Sequence, residues 1–192
     1  MSSFYSPEEL SDIGFQALGS EVYVSRKASI YKPEKISLGH HVRIDDFCIL
    51  SGGAGIEICN YVHISAYSAI YGGAGVVMED YTGLSPRCAI LSESDNFSGE
   101  SMINPFVPNE FKPGFIRGRV VLKKFVQIGA NSTIFPGVEL GEGAAVGAHS
   151  LVIKSCDAWG IYAGVPVKRI KGRSRKLLEI EQDFLKSIQG EK

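Results

Sequence analysis

The chain has 192 residues, of which 44% are hydrophobic and 21% are charged, and its formal net charge is −1. This composition is typical of a soluble globular domain and too apolar for a disordered chain. The near-zero charge gives no overall positive field to hold nucleic acid or an anionic membrane. No run of about 18 apolar residues occurs and the N-terminus lacks the pattern of a signal peptide, so we expect a cytoplasmic protein without a membrane span.

The first residues predict a short helix. The sequence SPEE at positions 6–9 combines a capping box with proline at the first helical position, and Gly14 or Gly19 would end the helix. We assign residues 1–23 to an N-terminal helical cap.

The centre of the chain contains a repeat with a period of six residues. The sequence Gly-Gly-Ala-Gly recurs at an offset of 20 residues, at positions 52–55 and 72–75. A six-residue ladder of Leu, Ile, Val or Met accompanies it and resumes after an interruption. The ladder positions are Leu38, Ile44, Leu50, Ile58, Ile64, Ile70, Met78, Leu84, Ile90, Leu122, Ile128, Ile134, Leu140, Val146 and Val152. Neither a helix, with its period of 3.6, nor a simple strand, with its period of two, produces this spacing.

Four residues after each ladder position stands a small side chain, and this pattern predicts a triangular coil. Each six-residue side would supply a short strand with a large inward residue and then a corner that accepts only a small one. Stacked coils bury one continuous core, so the predicted fold is an all-β solenoid of parallel strands. We expect five full coils and a partial leading coil through Val24 and Ile30, and we expect Ala54, Ala74 and Ser94 at inward corners.

The four cysteines fit this solenoid better than a disulfide framework. Without a secretory signal or a CxxC pair, reduced thiols are favoured over bridges or a zinc site. Cys48 and Cys88 occupy small corner positions and are predicted to lie in the core.

Two further segments flank or interrupt the ladder. Residues 92–119 have no periodicity, and a loop of this length inside a compact domain more often has a function than serves only as a connection. Residues 174–189 carry an apolar stripe at helical spacing and predict a helix that packs on the solenoid or on another subunit.

The ladder, the long loop, the stretch IGANSTIFPGVELGEGAAVGAHSLV and the closing YAGVPVKRIKGR together resemble the hexapeptide-repeat acetyltransferases, in the branch of galactoside and maltose acetyltransferases. The resemblance covers about residues 20–173. It implies a left-handed parallel β-helix over 24–172, with the loop 92–119 as an insertion; on the apolar stripe we assign residues 173–192 to a C-terminal helix. It also implies acetyl-CoA as donor and a homotrimer with sites between neighbouring subunits, where the loop helps to enclose a sugar; we expect no metal.

The resemblance also assigns cofactor contacts to this chain. Four small residues would let backbone groups approach the pantetheine arm, two would form the closing turn, and a basic pair would hold the phosphates by charge-assisted hydrogen bonds. In that order they are Gly129, Ala130, Gly147 and Ala148, then Gly164 and Pro166, then Lys168 and Arg169.

The sequence differs from the family pattern at the position of the catalytic base. Galactoside-type enzymes have a histidine at the loop entrance, and an alignment without gaps puts Asp95 there. An ordinary aspartate is too weak a base for a sugar hydroxyl, whereas a neutral amine needs less help. We therefore favour an amino-sugar acceptor, with Asp95 and the outward-facing His63 as catalytic candidates.

The sequence gives weaker signals for the residues that would bind the acceptor or stabilise the oxyanion. Glu93, Asp45 and Asp46 are weaker candidates for acceptor binding, and Asp95 could instead shape an Asx-type turn. An oxyanion donor near Ser65 or Ser85 leaves no sequence signal, because a backbone N–H suffices.

Two other classes of protein would be compatible with a solenoid fold. The gamma-type carbonic anhydrases share the fold, but their zinc needs three converging histidines, and here Arg43 and Gly83 flank His63 in the neighbouring coils. A non-catalytic binding scaffold would not need the basic closing turn or the long loop.

We predict an acetyl-CoA-dependent transferase acting on the amino group of a nucleotide-linked sugar, such as a dTDP-4-amino-4,6-dideoxyhexose, in surface-polysaccharide synthesis. Acetylation of a sugar hydroxyl is the alternative.

Overall fold

The computed structural model describes residues 3–190, and these form a left-handed triangular solenoid with a helix at each end. Parallel sheets build its three faces. The first face contains Ala17–Leu18, Ile36–Leu38, Ile56–Ile58, Val76–Met78, Val120–Leu122 and Glu139–Leu140. The second contains Tyr23–Val24, Arg43–Ile44, His63–Ile64, Gly83–Leu84, Gln127–Ile128, Ala145–Val146, Gly160–Gly164 and Val167–Gly172, of which the last two pair antiparallel. The third contains Ser29–Tyr31, Ile49–Ser51, Ala69–Tyr71, Ala89–Leu91, Thr133–Ile134 and Leu151–Val152.

The leading coil is more complete than the sequence indicated. It places a strand on every face, beginning with Ala17–Leu18, so six coils are complete instead of five. The first strand therefore falls inside residues 1–23. Before it, helix α1 (Pro7–Ile13) has the predicted capping box: the Ser6 hydroxyl accepts from the Glu9 N–H, and the Ser6 N–H donates to the Glu9 carboxylate. The helix ends at Gly14 in the left-handed conformation.

The predicted ladder forms the core. All fifteen ladder side chains are buried, with at most 4% of each exposed. Each lies over the equivalent residue of the next coil, as the register Ile44↔Ile64 illustrates. This vertical stacking of aliphatic side chains is the hydrophobic contribution that no single coil could supply alone.

Three of the predicted inward corners are wrong. Ala54 is exposed, and Ala74 and Ser94 are only half-buried. The two extra residues of the Gly-Gly-Ala-Gly corner shift the register, so the buried positions there are the larger Ile56 and Val76. The small buried residues of these two corners are Gly52 and Gly72, and Ser94 lies in the strand Glu93–Ser94 at the root of the loop instead of at a corner.

The cysteines are free thiols, as predicted. Cys48 and Cys88 are buried at their corners, and none of the four cysteines forms a bridge. Burial raises the pKa of the Cys48, Cys59 and Cys156 thiols to about 11, so they stay protonated at neutral pH. Protonated thiols are poor nucleophiles and poor metal ligands.

An aromatic column covers the corner between the first and second faces. His41, Tyr61, Tyr81 and Phe125 all have positive φ angles, and their rings stack at centroid distances of 4.5, 5.0 and 5.3 Å. A non-glycine residue costs about 1–2 kcal/mol in this backbone conformation. Ring stacking of about 0.5–1.5 kcal/mol per pair offsets part of that cost.

The C-terminal helix α2 (Leu177–Gly190) packs on this column and begins three residues later than predicted. Phe184 meets Tyr61 edge to face at 5.5 Å, and Glu181 pairs with Lys124 at 2.6 Å. No helix in residues 3–190 is long and apolar enough to cross a membrane.

One buried hydroxyl in the core is a stability defect. Thr82 occupies an inward corner between Val62 and Val126, is 2% exposed, and its Oγ1 has no hydrogen-bond partner among residues 3–190. Leaving a buried polar atom unsatisfied costs about 1–3 kcal/mol. We expect Thr82→Val to raise the free energy of unfolding by about 1–2 kcal/mol, measured by chemical denaturation.

Ser132→Ala is the contrast for that variant. The Ser132 hydroxyl donates to the Gly147 carbonyl at 3.1 Å and accepts from the Ser150 N–H at 3.2 Å, so its removal should lower stability. The interpretation is contradicted if both variants change stability in the same direction.

Candidate active site

Small residues line the corner where the second face ends. We call Ser65, Ser85, Gly129 and Gly147 the corner column, because each directly follows a strand of that face in successive coils. Their N–H groups donate to the next coil: Ser85 to Ile128 O at 2.9 Å, and Gly129 to Val146 O at 2.7 Å. The column therefore runs parallel to the solenoid axis.

Position 129 requires glycine, because any larger residue would clash with the backbone of the next coil. A Cβ on Gly129 would lie 2.4 Å from the Ala148 nitrogen, and one on Gly147 would lie 3.1 Å from the Ala163 Cβ. Ala130 and Ala148 follow these glycines at the same corner. The four small residues predicted to contact a cofactor arm are thus brought together along one open edge.

The predicted closing turn and basic pair stand at the end of this edge. Gly160–Gly164 and Val167–Gly172 form an antiparallel hairpin in which Lys168 lies opposite Ala163 and Arg169 opposite Tyr162. The turn contains Gly164, whose N–H donates to the Ser150 hydroxyl at 3.1 Å, and Pro166. Within residues 3–190, neither Lys168 nor Arg169 forms an ion pair, so both cations are available to an anion.

His63 belongs to an ordered charged group on the second face. Its Nε2 lies 2.8 Å from the Asp45 carboxylate, whose other oxygen accepts from Arg43 Nε at 2.7 Å. Burial raises the pKa of Asp45, but hydrogen bonds from Arg43 and His63 outweigh it and hold the pKa below its usual value. The ionised carboxylate orients an imidazole that is itself half exposed. The pair was not predicted from the sequence, although the spacing of 18 residues between Asp45 and His63 places them in adjacent coils.

Asp46 and Glu93 are already paired within the chain. Asp46 accepts from Lys27 Nζ at 2.8 Å, and this hydrogen bond lowers the pKa of its exposed carboxyl. Glu93 pairs with Arg117 at 2.7 Å, where Glu93–Ser94 and Ile116–Arg117 form a two-stranded antiparallel neck. This neck holds together the two ends of the 92–119 loop.

Asp95 lies just beyond the neck. It lines an open cavity of about 310 Å³ with Lys112, which is 8% exposed, and Phe115. No residue in the range 3–190 donates a hydrogen bond to its carboxylate. The cavity is lined by residues 93–95, 105, 112 and 115, and no residue of the corner column lines it.

No cluster of metal-ligating side chains occurs within the described range. His63 has Arg43 and Gly83 as its strand partners in the coils on either side. This arrangement does not fit the three-histidine zinc site of the carbonic anhydrases.

Comparison with known proteins agrees with this fold. No protein-family model matches the chain. The dTDP-4-amino-4,6-dideoxy-D-glucose acyltransferase of Escherichia coli is 44% identical over 184 residues, which cover 95% of each chain. A crystal structure of a variant of AntD, an N-acyltransferase from Bacillus cereus, in which an aspartate is replaced by alanine, with dTDP and coenzyme A, is 52% identical, with a TM-score of 0.94, over 97% of this chain and 100% of that one. A second AntD structure, with dTDP and 3-hydroxybutyryl-CoA, is 53% identical with a TM-score of 0.95 over 98% and 100% of the chains.

The left-handed solenoid and these relatives define a hexapeptide-repeat acyltransferase. Within that class, the chain belongs to the family that contains the E. coli dTDP-4-amino-4,6-dideoxy-D-glucose acyltransferase and AntD of B. cereus.

Proposed function

We propose that the protein is a cytoplasmic homotrimer that transfers the acetyl group of acetyl-CoA to the amino group of a dTDP-4-amino-4,6-dideoxyhexose, for surface-polysaccharide synthesis. The observation that carries this proposal is the similarity, over 95% of both chains, to an acyltransferase of such a sugar nucleotide. The structure of AntD with dTDP-4-amino-4,6-dideoxyglucose and coenzyme A supports it.

The acyl donor lies along the corner column. Its pantetheine arm passes Gly147, Ala148, Gly129 and Ala130, where the absence of large side chains leaves backbone groups within reach. The closing turn with Gly164 and Pro166 forms the end of this path. Lys168 and Arg169 are unpaired cations on the closing hairpin, and they hold the phosphates by charge-assisted hydrogen bonds.

The thioester lies at the other end of the column, at Ser85. Here the column changes from glycine to hydroxyl side chains, which supply donors for the carbonyl oxygen as negative charge develops on it. AntD structures include variants at a serine and at an aspartate ten residues later, the same separation as Ser85 and Asp95. This agreement supports roles for both residues.

Asp95 accepts the proton that the attacking amine nitrogen loses. The amine lone pair attacks the thioester carbonyl carbon, the C–N bond forms, and the C–S bond breaks with its electron pair leaving on sulfur. The nitrogen proton passes to Asp95 and from there to the departing thiolate. An aspartate suffices because the attacking amine is already a good nucleophile once neutral.

His63 contributes to acceptor binding and is a second candidate for receiving the proton. It precedes Ser65 by two residues and is therefore near the hydroxyl-lined end of the column. Asp45 acts through His63 by fixing its imidazole. Asp46 and Glu93 are weaker candidates for substrate contact, because a substrate would have to compete with their ion pairs to Lys27 and Arg117.

CoA-thiol release tests the proposal. The enzyme is assayed with acetyl-CoA and a dTDP-4-amino-4,6-dideoxyhexose, and in parallel with the matching 4-hydroxy sugar. We expect turnover with the amine alone. A second arm uses 3-hydroxybutyryl-CoA, because AntD binds that donor. Turnover with the hydroxy sugar would establish O-acetylation instead, and no release with any pair would overturn the proposed acceptor.

A further inference from the structure

A cavity of about 360 Å³ lies between helix α2 and the second face, and the proposed reaction does not use it. We call it the α2 cavity. Its volume falls within the range of small-molecule sites, and no residue of the corner column lines it. Its walls are mostly apolar and include Tyr81, Gly83 and Phe125 from the solenoid and Leu177, Ile180 and Phe184 from the helix.

Gly83 leaves room in this cavity that the fold does not require. It is the outward residue of the strand Gly83–Leu84, at a position where the adjacent coils present His63 and Gln127. The nearest atom to a Cβ here would be the His63 carbonyl oxygen at 3.9 Å, and the φ angle of Gly83 is outside the left-handed region. Glycine weakens a strand and often marks a place where a ligand approaches the backbone. Neither packing nor backbone conformation explains this glycine, whereas a bound molecule would.

The α2 cavity also contains a cation without an opposite charge. Arg173 lines it, and its Nη1 donates to the Phe125 carbonyl at 2.8 Å and to the Gly143 carbonyl at 3.1 Å. Its Nη2 makes only a 3.5 Å contact with Gln127 Oε1, and within residues 3–190 no carboxylate pairs with this guanidinium. Burial lowers the pKa of Arg173. A partly buried charge is costly until an opposite charge meets it, so the cavity favours an anion.

The rest of the lining is compatible with an anion that has an apolar body. Glu181 lines the cavity as well, but Lys124 Nζ binds its carboxylate at 2.6 Å and compensates its charge. On the helix side, Ile180 is 52% exposed and Phe184 is 37% exposed, so the solenoid leaves part of these apolar side chains uncovered. Grouped apolar side chains of this kind are typical of a ligand-binding groove.

We propose that the α2 cavity binds a small carboxylate with an apolar body, which pairs with Arg173 and covers Gly83 and the exposed side of α2. A guanidinium binds a carboxylate through two parallel hydrogen bonds. Nε and Nη2 of Arg173 are the nitrogens available for them, because Nη1 already donates to two carbonyls. Binding at this cavity does not depend on the transferase reaction.

Calorimetric titration with benzoate tests the charge, and the neutral benzamide of nearly the same shape is the matched compound. We expect the wild type to bind benzoate about tenfold more tightly than benzamide, and Arg173→Gln to remove this difference. Arg175→Gln is the control, because Arg175 lies over the Trp159 ring and does not line the cavity. Equal affinities of the wild type for the two compounds, or benzoate binding that Arg173→Gln leaves unchanged, would overturn the proposal.

Gly83→Val tests the cavity and leaves Arg173 intact. Valine suits an outward strand position, and a Cβ has room there. We therefore expect a melting temperature no lower than that of the wild type, together with loss of benzoate binding. Gly172→Ala, which adds a methyl group outside the cavity, should bind benzoate as the wild type does. A folded Gly83→Val that still binds benzoate would refute the site.

Competition with coenzyme A distinguishes this cavity from the path of the acyl donor. Because the corner column does not line the cavity, saturating coenzyme A should leave the affinity for benzoate unchanged. Displacement of benzoate by coenzyme A would place the anion on the donor path and would overturn a separate site.

Discussion

Asp95→Asn should lower kcat about 10²- to 10³-fold at neutral pH, in the range that a positioned general base contributes. The amide keeps the shape of the side chain but cannot accept the proton that the attacking nitrogen must lose. Because binding of the acyl donor does not use Asp95, the KM for acyl-CoA should be unchanged. Steady-state kinetics with the amino sugar measures both constants.

The pH profile separates a proton acceptor from a merely structural residue. As the pH rises, solvent hydroxide can increasingly take the proton in place of Asp95, whereas the growing fraction of neutral amine raises the rates of both enzymes alike. The deficit of Asp95→Asn should therefore shrink with increasing pH. Glu110→Gln, an exposed carboxylate of the same loop, is the control and should behave as wild type. A pH-independent deficit, or an equal effect of Glu110→Gln, would exclude the proposed role.

Gly129→Ala should destabilise the protein and also raise the KM for acyl-CoA. The added Cβ would lie 2.4 Å from the Ala148 nitrogen and 2.7 Å from the Gly147 carbonyl carbon, so the next coil must move. Overpacking of this kind costs about 1–3 kcal/mol. The movement displaces the backbone that we assign to the pantetheine arm. Thermal unfolding and donor-dependent kinetics measure the two effects.

Gly172→Ala is the matched control for this variant. A Cβ there has no heavy atom within 4 Å, so both the melting temperature and the KM should stay at wild-type values. If Gly129→Ala equals this control in both measurements, the corner column tolerates a methyl group and its proposed role is wrong.

The core was predictable because its determinants repeat. Inward positions such as Ile64 and Ile128 recur at a fixed spacing in the sequence. They can therefore be recognised without knowing which distant residues they contact. The same rule failed at Ala54, since counting in sixes ignores the register shift caused by two inserted residues. The short N-terminal helix was predictable for a different reason: its capping residues lie within one turn of each other.

The pairing of charged side chains was not predictable in the same way. Asp45 and Glu93 were predicted only as weaker candidates for acceptor binding, yet Asp45 binds Arg43 and His63, and Glu93 binds Arg117 from the far end of the loop. These pairs depend on which coil lies above which and on where a long loop returns. Ser65 and Ser85 could not be ranked from the sequence, because each directly follows a strand of the second face and both lie in line with Gly129.

The antiparallel hairpin at the end of the solenoid has a consequence for solubility. A stack of parallel coils ends in a row of unpaired backbone groups, and such an edge can recruit another chain into a growing fibre. Here Val167–Gly172 reverses direction against Gly160–Gly164, so the terminal strand does not continue the parallel coil pattern. At the opposite end an antiparallel bridge joins Phe4 to Ser25. On the second face, antiparallel pairing thus takes the place of a further parallel coil at both ends of the stack.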